Sequence, residues 1–344
     1  MCKTIQHRAL FMFLGFFCLI SASSCGKVKK NTGGNEVSQA FVSVWRTDVE
    51  NQTITLPLRS GYNYDFTVDW GDGSSIDHVT SSSDPLAMHM YEEKGTYEVT
   101  IEGLVESWYF NNTGDKEYII EVKNLGDVGW KNLESAFHGC GQLSSFAGGN
   151  TSEVTSMRRM FYSATFLVSL DVSSFDTSKV TDMSGMFFGT YNVTSLDVSK
   201  FDTSKVIDMH NMFAYVASQS LDVSSFNTSM VENMSAMFYA MSSLLSLDLT
   251  NFDTSKVTDM SHMFSQMVSI SMLDLSTFDT SQVVDMRNMF ALDENLSMLN
   301  LNNWDISNVS YSNAIFLNTG ANVSGGLSLS CTQMSGSLFG KTCI

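Results

Sequence analysis

The chain has 344 residues, 36 of them acidic and 19 basic, for a formal net charge of −17 at pH 7. That length makes more than one domain the expectation. An exterior this acidic argues against nucleic acid as a partner, because phosphates are met by Lys and Arg, and is compatible with solubility and with cationic or metal-linked partners.

Residues 1–24 read as an export leader. Lys3 and Arg8 make a basic start, and Ala9–Ile20 is an apolar run. The run falls short of the ~20 residues a membrane-spanning helix needs and suits a signal peptide's hydrophobic region. Ser21-Ala22-Ser23-Ser24 then leads into Cys25. This resembles a bacterial lipobox, which implies that Cys25 is the lipidated first residue of the mature protein. Ordinary cleavage after a small residue, with Cys25 a free thiol or disulfide partner, is the alternative. Residues 25–37 carry Lys27, Lys29, Lys30, Gly33 and Gly34 and read as a flexible tether. Its lysines are solvated in one reading and rest on anionic head groups in the other. No later segment is apolar enough to span a membrane.

Residues 38–103 change to an alternating pattern. Tyr64, Phe66, Val68 and Trp70 share one face against Asp65, Thr67 and Asp69, which suits a half-buried strand. Trp70-Gly71-Asp72-Gly73 is a tight turn, its glycines free to take positive φ. Gly95-Thr-Tyr97-Glu-Val99-Thr-Ile101 is another turn and strand. These two stretches resemble a PKD-type β-sandwich, and the resemblance implies a spacer or binding module of an exported protein.

Residues 104–319 are assigned to a repeat region. In residues 104–127 a further alternating run, Tyr118, Ile120 and Val122, is placed as its N-terminal cap. Six clear copies follow, led by Leu170, Leu196, Leu221, Leu247, Leu273 and Leu299 at steps of 25 or 26 residues. The first reads Leu170-Asp-Val-Ser-Ser-Phe175-Asp-Thr-Ser-Lys-Val180-Thr-Asp-Met183-Ser-Gly-Met186-Phe187. A fixed period in this range predicts stacked supersecondary units. Leu170 and Val172 flanking Asp171 suit a short strand, whereas Val180, Met183 and Met186/Phe187 suit one or two helical turns opening at Thr181-Asp182. The expected fold class is therefore an α/β solenoid of about seven units, each a strand plus a short helix, behind an N-terminal all-β sandwich. One phenylalanine column (Phe175, Phe201, Phe226, Phe252, Phe278) and one methionine column (Met183, Met209, Met234, Met260, Met286) are expected in its core. A weaker copy starts at Leu143, and Leu133 with Ala136-Phe137-His-Gly-Cys140 ends a first half-unit.

The recurring Phe-Asp-Thr-Ser and Asp-Met-x-x-Met-Phe strings resemble BspA-type leucine-rich-repeat surface proteins. The chain departs from them at the unit end, where only Gly139-Cys140 keeps the Gly-Cys of that group. The resemblance implies a bacterial surface protein, anchored in the outer membrane, that adheres to host matrix or other cells.

Residues 320–344 form a Ser- and Gly-rich tail with Cys331 and Cys343. In an exported chain these close a small disulfide loop; two free thiols or an external partner remain the alternatives.

No catalytic, cofactor or metal constellation appears. His78 and His89 lie in residues 38–103 and His138, His210 and His262 in different repeats, the last two on the outward, solvated side of the expected short helix, and no HExxH, CxxC, GxSxG or phosphate loop occurs. The reading is non-enzymatic. Asp171, Asp197, Asp222, Asp248 and Asp274 share one outward strand position and form the candidate ligand face. Like charges on neighbouring strands repel, so hydroxyls with solvent, backbone amides of the next unit, or a bound cation must relieve them. A second column, Asp176, Asp202, Asn227, Asp253, Asp279 and Asp305, reads as a polar turn ladder, with Lys179, Lys205 and Lys256 placed to pair with it. The connectors carrying Tyr191, Tyr215, Tyr239 and Asp293-Glu294 vary from copy to copy; they are drift in a loop or the place for specificity. The expected function is adhesion to an extracellular protein, cell or glycan. A structural envelope role and glycan capture beside an uptake system are the rivals.

Overall fold

In the computed structural model, the described residues are 39–320 and the backbone of 322–324. The leader, Cys25, the tether, and Cys331 with Cys343 lie outside them. The chain order is β1 (Phe41–Thr47), β2 (Gln52–Thr55), β3 (Tyr64–Asp69), β4 (Asp77–Val79), β5 (Met88–Tyr91), β6 (Gly95–Val105), β7 (Ile119–Asn124), β8 (Ser145–Ala147), β9 (Ser169–Asp171), β10 (Met272–Asp274), β11 (Met298–Asn300) and β12 (Asn322–Ser324).

Strand β3 forms as its alternation dictates. Tyr64, Phe66 and Val68 are buried, and the residues between them are exposed. Antiparallel partners β4 and β6 flank it, and β2 pairs with β5 in a separate two-stranded sheet. In the turn after β3, Gly71 has φ +78° and a Cβ there would lie 2.3 Å from the Glu98 carbonyl oxygen, so no side chain fits. Buried Trp70 stacks on His89 at 4.9 Å.

The N-terminal sheet continues into the repeats. Strand β7 runs antiparallel to β1 and parallel to β8, giving one mixed sheet in the order β4-β3-β6-β1-β7-β8-β9. Phe41, Trp45, Trp108 and Trp130 pack edge to face at this junction, with ring centroids 5.0–6.5 Å apart. The face of β7 differs from the Tyr118/Ile120/Val122 expectation: Ile119, Val122 and Leu125 are buried. Register shifts along the β1–β7 pairing, characteristic of bulges, break the strict two-residue period.

The expected α/β solenoid is overturned. Among the described residues there is no α-helix, and the single helical element is a three-residue 3-10 turn at Pro85–Ala87. The described residues are nearly all β, with a mixed sheet and turn-rich repeats. Where helices were expected, backbone N–H groups alternate between two acceptors. Gly185 N donates to His210 O at 2.8 Å and Phe187 N to Met212 O at 3.0 Å, both in the following repeat. Between them, Met186 N donates to Met183 O and Phe188 N to Gly185 O, three residues back. A helix would send every one of these groups four residues back. Left-handed residues recur at fixed places, as at Gly185, Asn211, Ala236, His262 and Asn288 (φ +52° to +61°) and again four residues on. A helix tolerates none of these. The side-chain expectation survives the loss of the helix: Val180, Met183, Met186 and Phe187 are all buried.

The strand ribbon also differs. Among the described residues, strands at this position pair in parallel only as β7–β8–β9 and as β10–β11–β12; Leu196, Leu221 and Leu247 lie in no strand. Asp171 faces Ala147, and Asp274 faces Asn300, where strands pair. From Asp171 through Asp274 every neighbour in the column is another aspartate, but facing aspartates do not by themselves prevent pairing, because Asp182 bridges Asp208 and Asp259 bridges Asp285 in the same repeats. The unbroken parallel ladder sits instead at the supposed helix start, running Ser156–Asp182–Asp208–Asn233–Asp259–Asp285–Tyr311.

Phenylalanines line the interior. Phe137, Phe161, Phe187, Phe213, Phe238, Phe264, Phe290 and Phe316 stack nearly parallel, with centroids 5.6–6.0 Å apart. Phe175, Phe201, Phe226, Phe252 and Phe278 are buried beside them. A buried threonine ladder runs alongside: Thr177, Thr203, Thr228, Thr254 and Thr280 each donate from Oγ1 to the backbone carbonyl of the turn residue one repeat on, at 2.7–2.9 Å. Thr203 Oγ1 also accepts from Asn227 N at 2.8 Å. Thr203→Val keeps the shape and strands both partners, so chemical denaturation should show a loss of ~1–3 kcal/mol.

Candidate binding faces

The acidic column is built from Asx turns. Asp171, Asp197, Asp222, Asp248 and Asp274 each accept a hydrogen bond from the backbone N–H two residues on, at 2.9–3.0 Å. Ser199 and Ser276 hydroxyls add a second bond to Asp197 and Asp274. Charge relief therefore comes from local amides and hydroxyls of the same repeat, not from amides of the next one. The same bonds hold these carboxyls below the usual carboxylate range: the Ser173 hydroxyl and amide act on Asp171, and Ser199 and Ser276 act alike on Asp197 and Asp274. The second column does the same through Ser178, Ser204 and Ser255. Asn227 makes the identical turn to Ser229 N, which is why an amide serves there. Asp182, Asp208, Asn233, Asp259 and Asp285 form a third such column. Each full repeat thus turns three corners on the same device. The Lys179 charge helps to lower Asp176 from a distance, while its Nζ lies 2.5 Å from Glu153 of the preceding repeat. Lys256 reaches the Met230 sulfur.

Opposite in chemistry is the face formed by the connectors. Half-exposed rings follow one another across repeats: Tyr162 stacks on Phe188 at 4.2 Å, Phe188 meets Tyr215 edge-on at 5.3 Å, and Tyr215 meets Tyr239 at 5.1 Å. Tyr191, 51% exposed, lies 5.7 Å from Tyr215. Beside them is a groove of about 460 Å³, lined by Tyr191, Tyr215, Ala240, Ser242, Ser243 and Gln266 among others. Tyr215, Ala240 and Gln266 occupy the same left-handed position in successive repeats, with φ +64°, +54° and +63°. The small Ala240 between two long side chains makes the notch. Gln266 Nε2 donates to the Tyr239 hydroxyl, which fixes both side chains.

Asp293 was grouped with the variable connector residues, yet it is fully buried. Its Oδ1 accepts from Met267 N at 2.7 Å, and Oδ2 has no partner. Burial raises its carboxyl to about 7, opposed only by the Met267 amide. Aligned copies signal it: Thr190, Val216, Met241 and Met267 hold the equivalent positions and are buried. His210 and His262, expected on a solvated outer surface, are half-buried; His210 Nδ1 lies 2.8 Å from Asp208 Oδ1, and His262 Nε2 lies 3.3 Å from Asn288 Nδ2. Cys140 is buried and free, its thiol pushed well up by burial. Among the described residues no group of His, Cys, Asp and Glu could hold a metal ion, and no helix is long and apolar enough to cross a membrane.

These features define a β-rich repeat protein with an N-terminal PKD domain, whose family model matches residues 42–104. The repeats match the family described as "Mycoplasma protein of unknown function, DUF285" over residues 131–246 and 241–325, more than half of the chain. The chain belongs to that family. No curated protein matches it.

Proposed function

We propose that the protein is an exported, lipid-anchored bacterial surface protein that binds an extracellular protein, cell or glycan ligand through its repeats, and that it has no enzymatic role. The half-exposed aromatic strip on the connectors carries this reading. Large rings left at the surface by a repeat that buries its other aromatics favour association. The leader of residues 1–24 that precedes Cys25, and repeat strings that resemble those of BspA-type leucine-rich-repeat surface proteins, support it. The PKD domain then serves as the module between anchor and repeats.

The test is attachment of cells expressing the full chain to immobilised matrix proteins, partner cells and glycans, beside cells expressing Tyr191→Ser/Tyr215→Ser/Tyr239→Ser. Attachment that the triple variant loses supports the reading. Equal attachment by a deletion strain removes it, and envelope defects without attachment defects would favour a structural role. Surface proteolysis of intact cells, with mass spectrometry of the N-terminal peptide, tests export and lipid at Cys25 together.

A further inference from the structure

We infer that the notch at Ala240, between Tyr215 and Gln266, is a subsite for a neutral saccharide; the inference rests on the surface-binding reading above and names its ligand class. Three observations point there. The first is chemistry. Tyr191 offers an exposed ring edge and face, Tyr215 a half-exposed one, while Gln266, Ser242 and Ser243 supply amide and hydroxyl groups. A pyranose needs both kinds of surface: an apolar C–H face to lie against a ring, and hydroxyls to meet polar groups.

The second is charge. None of the groove's lining residues carries a formal charge at neutral pH, in a chain of net charge −17. A cationic peptide would be drawn to the three aspartate columns instead, and an anionic chain would be repelled by the whole exterior. A neutral ligand is the class this local chemistry selects.

The third is size and rigidity. About 460 Å³ falls within the ~300–1,000 Å³ of small-molecule sites, and a stable protein interface needs ~800 Å² from each partner. The walls stand on a bonded frame: Tyr215 and Gln266 lie one rung to either side of Ala240, Tyr215 N donates to Tyr239 O and Gln266 N to Ala291 O at 2.8–2.9 Å, and the Gln266 side chain is held on the Tyr239 hydroxyl. Preorganised walls lower the ordering cost of binding.

Two variants test the notch without disturbing the frame, because each places a residue that an equivalent position already holds. Ala240→Tyr repeats Tyr215, and Gln266→Leu repeats Leu292; both neighbours keep the left-handed backbone. Full-length protein is run in affinity gels containing soluble neutral polysaccharides (β-glucan, α-mannan and galactan) and on an array of neutral and sialylated glycans, with thermal midpoints in parallel. The expected result is retardation by at least one neutral polysaccharide, weakened tenfold or more in each variant with midpoints unchanged. Failure of every neutral glycan to bind the wild-type chain overturns the inference, as does binding that survives in both variants or that favours sialylated glycans. If the wild-type chain binds immobilised matrix protein alone and Ala240→Tyr abolishes that, the saccharide assignment falls and the surface-binding reading stands. If neither glycan, protein nor cell is bound, both fall.

Discussion

Replacing Phe238 with alanine is expected to remove ~3–5 kcal/mol of stability. Phe238 is fully buried and stacks between Phe213 and Phe264 at 5.9 and 5.8 Å. The repeat cannot close over the vacancy, because its backbone is bonded in register to both neighbours: Phe213 N donates to Met237 O and Phe238 N to Met263 O. A loss of this size is a large share of the ~5–15 kcal/mol that holds a typical domain together. In a repeat protein it also weakens the interfaces on both sides. Urea unfolding should therefore show a lower midpoint. Tyr191→Ala, at an exposed ring, should change stability by less than ~0.5 kcal/mol. Equal effects from the two substitutions would mean that the phenylalanine column is not the core.

The second large effect is at Asp293 and depends on pH. Its carboxyl titrates at about 7 in the folded chain against an ordinary value of 3.8. The folded state therefore holds the proton more tightly than the unfolded chain does. This contribution is complete below about pH 4, declines as pH rises towards 7, and is gone above it. The decline is on the order of 4 kcal/mol across the window. Asp293→Asn keeps an acceptor for Met267 N and cannot ionise. Its stability relative to wild type should climb between pH 4 and pH 7 and level off above. The amide nitrogen left without a partner subtracts ~1–3 kcal/mol at every pH, so the slope is the diagnostic. Parallel stability curves for the two chains from pH 4 to 8 would contradict the burial of this carboxyl.

The interior columns were legible because burial follows the 25- to 26-residue period, and that period survives any backbone compatible with it. The helix was not. Val180, Met183 and Met186 at intervals of three satisfy a helical face, and they equally satisfy turns that bond three residues back while alternate amides cross to the next repeat. Glycine at Gly185 and Gly189 and asparagine at Asn211 and Asn288 fall inside the supposed helices. These residue types suit left-handed backbone, and their fixed places were the signal to read. The aspartates of the third column suit helix starts for the same reason, and Asp-x-Ser spacing equally marks an Asx turn. The alternation around Leu196, Leu221 and Leu247 satisfies a strand, yet these residues lie in no strand, and the aspartates beside them do not explain it, because Asp182 and Asp208 pair face to face nearby. The connector tyrosines were visible as variation, but the notch depends on Ala240 falling in register between Tyr215 and Gln266, which requires knowing that the repeats align through left-handed positions. Asp293 was readable by alignment of the copies and was misplaced by its acidic neighbour Glu294.

Everything in the binding account rests on a frame of repeats joined edge to edge by backbone bonds rather than on a row of helices. Far-ultraviolet circular dichroism of the full chain addresses that most directly. A spectrum lacking the paired minima of α-helix, and losing its β and turn signal in the same transition in which Phe238→Ala weakens the chain, is the predicted result. Paired helical minima of the strength expected from a short helix in every repeat would contradict it.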